Sequence, residues 1–159
     1  MLTYIITEAF ETLDTAENSE ATVEAQRTLT YTSEQGGGRS SITHIIVKGK
    51  VAEKNITYPV TWEFLWPDDN VVQLQTALSE IHNYVRPNNS PMENPSHNHK
   101  EVAVEVYDWL KVGWVEENRV GQGFIDFRKD SLTLRATVDN LNRLLSFRDV
   151  VMTTLGIRP

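Results

Sequence analysis

The sequence predicts an α+β protein: an antiparallel sheet of about four to five strands, helices packed mainly on one face of it, and a long C-terminal helix. Three patterns lead there. Period-two apolar alternation dominates residues 1–66, a helical stripe starts directly after Trp66-Pro67, and the tail from Ser131 to Leu155 again carries apolar residues near helical spacing. Strands first and helices mainly afterwards is the order of a sheet with helices segregated to one side. A chain of 159 residues can bury about two thirds of the surface that its unfolded form exposes. One domain over residues 1–159 is therefore expected, with a flexible internal loop at 87–100 as the alternative boundary.

The strands come first. Residues 2–10 alternate moderately, and the polar connection ETLDTAENSE leads to a second run at about 22–33, where Val23, Ala25, Leu29 and Tyr31 share a face. SITHIIVKGKV, residues 41–51, is rich in β-branched side chains, and Gly49 marks a bulge or a close approach. In ITYPVTWEFLW the even positions are Ile56, Tyr58, Val60, Trp62, Phe64 and Trp66, an unbroken period of two. Pro59 cannot donate a ladder hydrogen bond, which places this strand at an edge or turns its nitrogen outward. The residues AEKN before it suggest a tight hairpin.

The helices follow. Val71, Leu74, Leu78, Ile81 and Val85 form one stripe, with Asp68 or Asp69 as the candidate N-cap and Arg86-Pro87 as the stop. EVAVEVYDWLKVGWVEE reads two ways: Val102, Val104 and Val106 alternate, while Val102, Val106, Trp109, Leu110 and Gly113 make a helical stripe. The helix is the favoured reading. GQGFIDFRK, residues 121–129, reads as a strand. In the tail, Leu134, Val138, Leu141, Leu145, Met152 and Leu155 predict one helix, or two if Ser146 and Asp149 form a capping box, with Gly156 as the C-cap residue. Arg135, Asp139 and Arg143, four apart, would form its solvated face. No internal repeat is visible in the sequence.

Composition narrows the functional classes. With no cysteine, disulfides, thiolate catalysis and cysteine-ligated zinc are excluded. No segment approaches the ~18 apolar residues of a membrane span, and the opening MLTYIITEAF lacks the basic start and cleavage site of a secretory leader. An intracellular, cytoplasmic protein is expected, which makes the two glycosylation sequons, Asn55-Ile56-Thr57 and the triplet Asn88-Asn89-Ser90, chance matches. The net charge of -7 is uneven: residues 1–99 hold 13 acidic and 6 basic side chains, residues 100–159 hold 9 of each. An acidic first part repels phosphate, so nucleic acid is disfavoured and a protein partner or self-association is expected.

The candidate metal site is NNSPMENPSHNHKE, where His97 and His99, spaced as on one face of a strand, precede Glu101. Imidazole and carboxylate are zinc ligands, but such a site needs three or four of them, and His44 and His82 lie in other elements. A solvated loop is the competing reading. GGGRSS could present backbone N–H groups to an anion, although it lacks the lysine and following helix of a phosphate cradle. Gly121 and Gly123 lack the third glycine of a dinucleotide turn. Tyr58, Trp62, Phe64 and Trp66 could stack on bases or sugars, yet the neighbouring charges are acidic, and packing beneath the following helix accounts for them. Glu116 with Glu117 and Asp126 with Asp130 are the possible carboxylate pairs for acid–base work.

These observations predict a non-enzymatic protein-binding or assembly module that is homo-oligomeric and needs no cofactor. An edge-lying fourth strand, the charge asymmetry and a C-terminal helix with Phe147, Val150 and Val151 beside its main stripe point that way. The alternatives are a metal-dependent enzyme using His97, His99 and Glu101, and a small-ligand binder with a pocket between the aromatic strand and the helices.

Overall fold

The computed structural model describes residues 3–32, 39–85 and 99–157. Eight strands and two helices follow one another in a repeated order. β1 (Thr3–Thr12), β2 (Ala21–Thr32), β3 (Arg39–Glu53) and β4 (Ile56–Leu65) precede α1 (Val72–Val85). β5 (His99–Tyr107), β6 (Leu110–Glu117), β7 (Val120–Lys129) and β8 (Leu132–Val138) precede α2 (Leu141–Leu155). Each quartet is an antiparallel meander in sequence order, β1-β2-β3-β4 and β5-β6-β7-β8. The α+β class and the antiparallel pairing stand, but one sheet with helices on one face is replaced by two four-stranded sheets. The architecture repeats although the sequence does not.

The first sheet follows the alternation. Val23, Ala25, Ile45, Val47 and Trp62 are buried, and cross-strand partners such as Val23, Val47 and Trp62 align on one face. Glu53 pairs with Ile56, so Lys54 and Asn55 alone form the turn, both at positive φ, 50° and 66°. Two left-handed residues match the twist of the strands they join. Asn118 and Arg119 repeat that turn between β6 and β7. Gly49 stays in register with Ala21 and Val60. It is a close approach and not a bulge, because a Cβ there would stand 2.9 Å from the Glu20 carbonyl oxygen and 3.2 Å from Leu134.

The second half departs from expectation. The segment predicted as a helix at 102–116 is the β5–β6 hairpin. Its Val102, Val104 and Val106 obey the period of two and join the core, with α1 packed against β5 and β6. The tail is neither one helix nor two that divide at Ser146. Residues 132–138 form β8, with Leu134, Ala136 and Val138 buried at alternate positions, and α2 starts after Asn140, whose side chain accepts from the Arg143 N–H at 2.9 Å. Arg135 and Arg143 therefore do not share a helical face. At the other end Gly156 adopts φ 81°, and its N–H and that of Ile157 bond Thr153 and Met152 carbonyls, as the sequence predicts.

The helices cross between the halves. α1 packs on β5 and β6 of the second sheet, while α2 touches β1 and β2 of the first as well as β7 and β8. One cluster of buried side chains draws on both sheets and both helices. Leu144, Phe147, Val150 and Val151 are buried within it, so the apolar residues beside the main stripe of α2 are covered inside the molecule, while Leu141, Leu145, Met152 and Leu155 stay partly exposed. The acidic β1–β2 connection is anchored too. Leu13 and Ala16 are buried, the Ala16 N–H donates to the Thr137 carbonyl at 2.7 Å, and Ser19 Oγ accepts from the Thr137 N–H at 3.0 Å.

Phe147 meets Phe127 edge to face at 6.4 Å and is fully buried where α2 covers the second sheet. Phe147→Ala is expected to cost about 3–5 kcal/mol of folding stability, read from urea unfolding followed by circular dichroism.

Candidate functional site

His99 and Glu101 come together at the start of β5. His99 Nε2 lies 3.4 Å from Glu101 Oε2, and Nδ1 lies 3.0 Å from Oε1 of Glu117, its cross-strand partner. All three side chains are about half exposed. His97 lies outside the described residues, as do the glycines of GGGRSS. Among the described residues no group of three His, Asp or Glu side chains is placed to hold a metal ion. His44 is on β3, 2.8 Å from Glu63, and His82 is on α1.

Among the other sequence candidates, Asp126 has a structural partner. Asp126 receives a two-pronged contact from Arg135, at 2.8 and 3.0 Å, and the guanidinium also lies 3.9 Å above the Phe124 ring. The two residues face each other directly across β7 and β8, so Asp126 is engaged as the partner of a fixed cation. Gly121 is a packing position: a Cβ there would meet the Trp114 ring at 2.1 Å.

The end of the aromatic row of β4 is covered by rings of the second half. Phe64 stacks on Trp109 with centroids 4.8 Å apart and planes 6° from parallel, and also approaches Phe127. Trp66 meets Tyr107 and Trp109 edge-on at 5.4 and 6.1 Å. The β5–β6 turn, Tyr107 to Leu110, thus inserts its rings against the end of β4. Polar tips in this cluster are satisfied: the Trp66 indole donates to the Asn70 carbonyl at 2.9 Å, and the Tyr107 hydroxyl donates to Asp68. Burial together with Asp68 pushes the Tyr107 phenol well above its ordinary range. Asp68 is thereby engaged with Tyr107, while Asn70 Oδ1 accepts from the Val72 N–H at 3.1 Å at the start of α1. Neither Asp68 nor Asp69 takes the capping role expected from sequence.

Beside this cluster lies an open cleft of about 580 Å³ lined by Arg27, Ser41, Thr43, Trp66, Asp68 and Leu155 among others. Arg27 in it is 2.7 Å from Glu8 of β1. The cleft is where the end of the aromatic strand approaches the C-terminus of α2.

A run of exposed apolar residues lies elsewhere, on β1. Tyr4, Ile5, Ile6 and Phe10 are 49%, 68%, 47% and 49% exposed, and Tyr4 stacks on Tyr31 of β2 at 5.1 Å. β1 is an edge strand, paired with β2 alone among the described residues. Sequence reasoning missed it because it looked for the edge at Pro59. The available signal was a strand with aromatic and β-branched residues on both faces, TYIITEAF, in an edge position. A scan of known protein families finds no model that matches the sequence, and no curated protein matches it either.

The Tyr107–Asp68 hydrogen bond has a measurable pH signature. A phenol whose folded pKa is raised stabilises the fold fully below the unfolded value of about 10 and progressively less above it. Tyr107→Phe should lower stability by roughly 1 kcal/mol at pH 7. Wild-type stability should then fall more steeply than that of the variant as pH rises above about 10, in paired thermal melts from pH 8 to 11.

Proposed function

We propose that this chain is a non-enzymatic protein-binding or assembly module, homo-oligomeric, that docks through the open edge of β1. One observation carries the reading: among the described residues the outer edge of β1 has no neighbouring strand, beside Tyr4, Ile5 and Ile6, all exposed. An unpaired strand edge is a template for another strand, because main-chain hydrogen bonds supply affinity and the alternate side chains supply specificity. The other edges are guarded. β4 carries Pro59, β8 has the Thr137 backbone bonded to Ala16 and Ser19, and β5 carries Lys100, Glu101 and Glu105 with a register shift before Tyr107. No helix among the described residues is long and apolar enough to cross a membrane.

The deciding experiment is size exclusion coupled to light scattering at low and high salt, with a pull-down from native extract. A mass above that of the 18.1 kDa chain is expected, and a strictly monomeric protein that retains no partner would sink the proposal.

The cleft beside Trp66 supports a second reading, a small-ligand binder, since it combines an apolar wall with Arg27, Asp68 and two hydroxyls. A thermal-shift screen across a metabolite library is then expected to yield one specific stabilising compound, with the shift lost in Thr43→Val. A screen without such a compound removes this reading.

A further inference from the structure

We propose that two copies of this chain pair through the first half of β1, antiparallel about a two-fold axis at Ile5, which joins their first sheets into one continuous sheet. The proposal rests on the assembly reading above and supplies its partner and register. It starts from where the guards of β1 lie. The register shift between Thr7 and Ala9, the charges of Glu8 and Glu11, and the Arg27 contact to Glu8 all fall in or beyond the middle of the strand. From Tyr4 to Thr7 there is no proline, charge or bulge, the devices that normally keep an edge from pairing.

That unguarded segment is self-complementary. Thr3-Tyr4-Ile5-Ile6-Thr7 reads nearly the same in both directions. With Ile5 opposite Ile5 of a second copy, Tyr4 falls opposite Ile6 and Thr3 opposite Thr7. A two-fold axis pairs residue i with j and j with i whatever the sequence; here it sets apolar against apolar and threonine against threonine. Residues opposite one another in an antiparallel pair share a face, so Tyr4 and Ile6 would extend one apolar face and the two Ile5 side chains would meet on the other. The first of these is the inner face of the sheet: Tyr4 pairs with Tyr31, and Ile6 with the buried Leu29. A second copy would continue this inner face beyond its present edge.

Alternative registers are worse. An axis at Glu8 sets two carboxylates face to face, and an axis at Thr7 sets Glu8 against Ile6. The axis at Ile5 leaves Glu8 outside the paired segment and its contact with Arg27 undisturbed.

Charge separates this partner from others. Each chain carries net charge -7, so two copies repel, and screening strengthens an apolar contact between them. A basic protein bound to the acidic surface would be released by salt instead.

The absence of cysteine gives a direct test of register. Across the proposed axis the two residue-5 Cα atoms would lie about 4.5–5.5 Å apart, within disulfide reach, whereas the two Phe10 positions would be roughly 34 Å apart along the strand direction. Ile5→Cys is expected to form a reducible covalent dimer on mild oxidation or with a short bismaleimide, and Phe10→Cys is not. Ile5→Lys, at an exposed position, is expected to keep the circular dichroism spectrum of a folded chain while reducing the light-scattering mass to that of one chain. Wild-type association is expected to increase with salt. Three results would overturn the contact: association that weakens with salt, equal cross-linking at both positions, or an Ile5→Lys protein that still associates. If the wild type associates in any of these cases, the assembly reading survives with a different surface; a wild type that stays monomeric and captures nothing removes both.

Discussion

The aromatic contact between the end of β4 and the β5–β6 turn is the constraint on which the rest of the arrangement depends. Phe64 lies on β4 and Trp66 directly after it, Tyr107 ends β5, Trp109 lies in the β5–β6 turn and Phe127 is on β7, and rings from the two halves stack or meet edge-on at centroid distances of 4.8–6.1 Å. Such rings bury large areas with preferred geometry. Holding them together fixes how one meander meets the other, and that in turn decides which face each helix finds. α1, which follows β4, lies against β5 and β6; α2 reaches back to β1 and β2. Each half thus uses the other half's helix to cover apolar surface.

This exchange explains which edges are finished and which are open. The β1–β2 connection crosses to β8 and bonds both backbone groups of Thr137, closing an edge of the second sheet with a loop of the first. α1 lies along β5, at the opposite edge of that sheet. Among the described residues the first sheet has no such closure at the start of β1, where the strand extends past the contact between Arg27 and Glu8 with apolar residues on both faces. Surface of that kind is uncommon on an edge strand, because it invites pairing with another chain. Phe147, Val150 and Val151 of α2, expected from sequence as extra surface on the helix, are buried in the core, while Tyr4, Ile5, Ile6 and Phe10 are exposed on a strand.

For the candidate sites, sequence spacing located some neighbours and missed the decisive ones. His99 and Glu101 are close because alternate residues on a strand share a face, and that much was legible. Glu117, which completes the trio, is a cross-strand partner whose proximity depends on the β5–β6 register. Asp126 looked available for acid–base work until β8 placed Arg135 opposite it. Tyr107 and Asp68 come from different halves, and no local pattern announces their hydrogen bond.

The same division runs through the fold. Where one period alone explains the residues, as in β2, β3, β4 and α1, the sequence by itself determined the element, along with the edge position of Pro59, the tight turn before β4 and Gly156 as the C-cap residue. Val102 with Val106 and Leu134 with Val138 are separated by four residues, a spacing that falls on one face of a strand and of a helix alike. Local information cannot choose between the two at such a spacing. Tertiary structure chose, because β5 and β8 satisfy backbone groups of β6 and β7 and place those side chains against α1, α2 and the first sheet. The second sheet, the exchanged helices and the open edge at Ile5 are therefore consequences of long-range pairing, and only the assembled chain displays them.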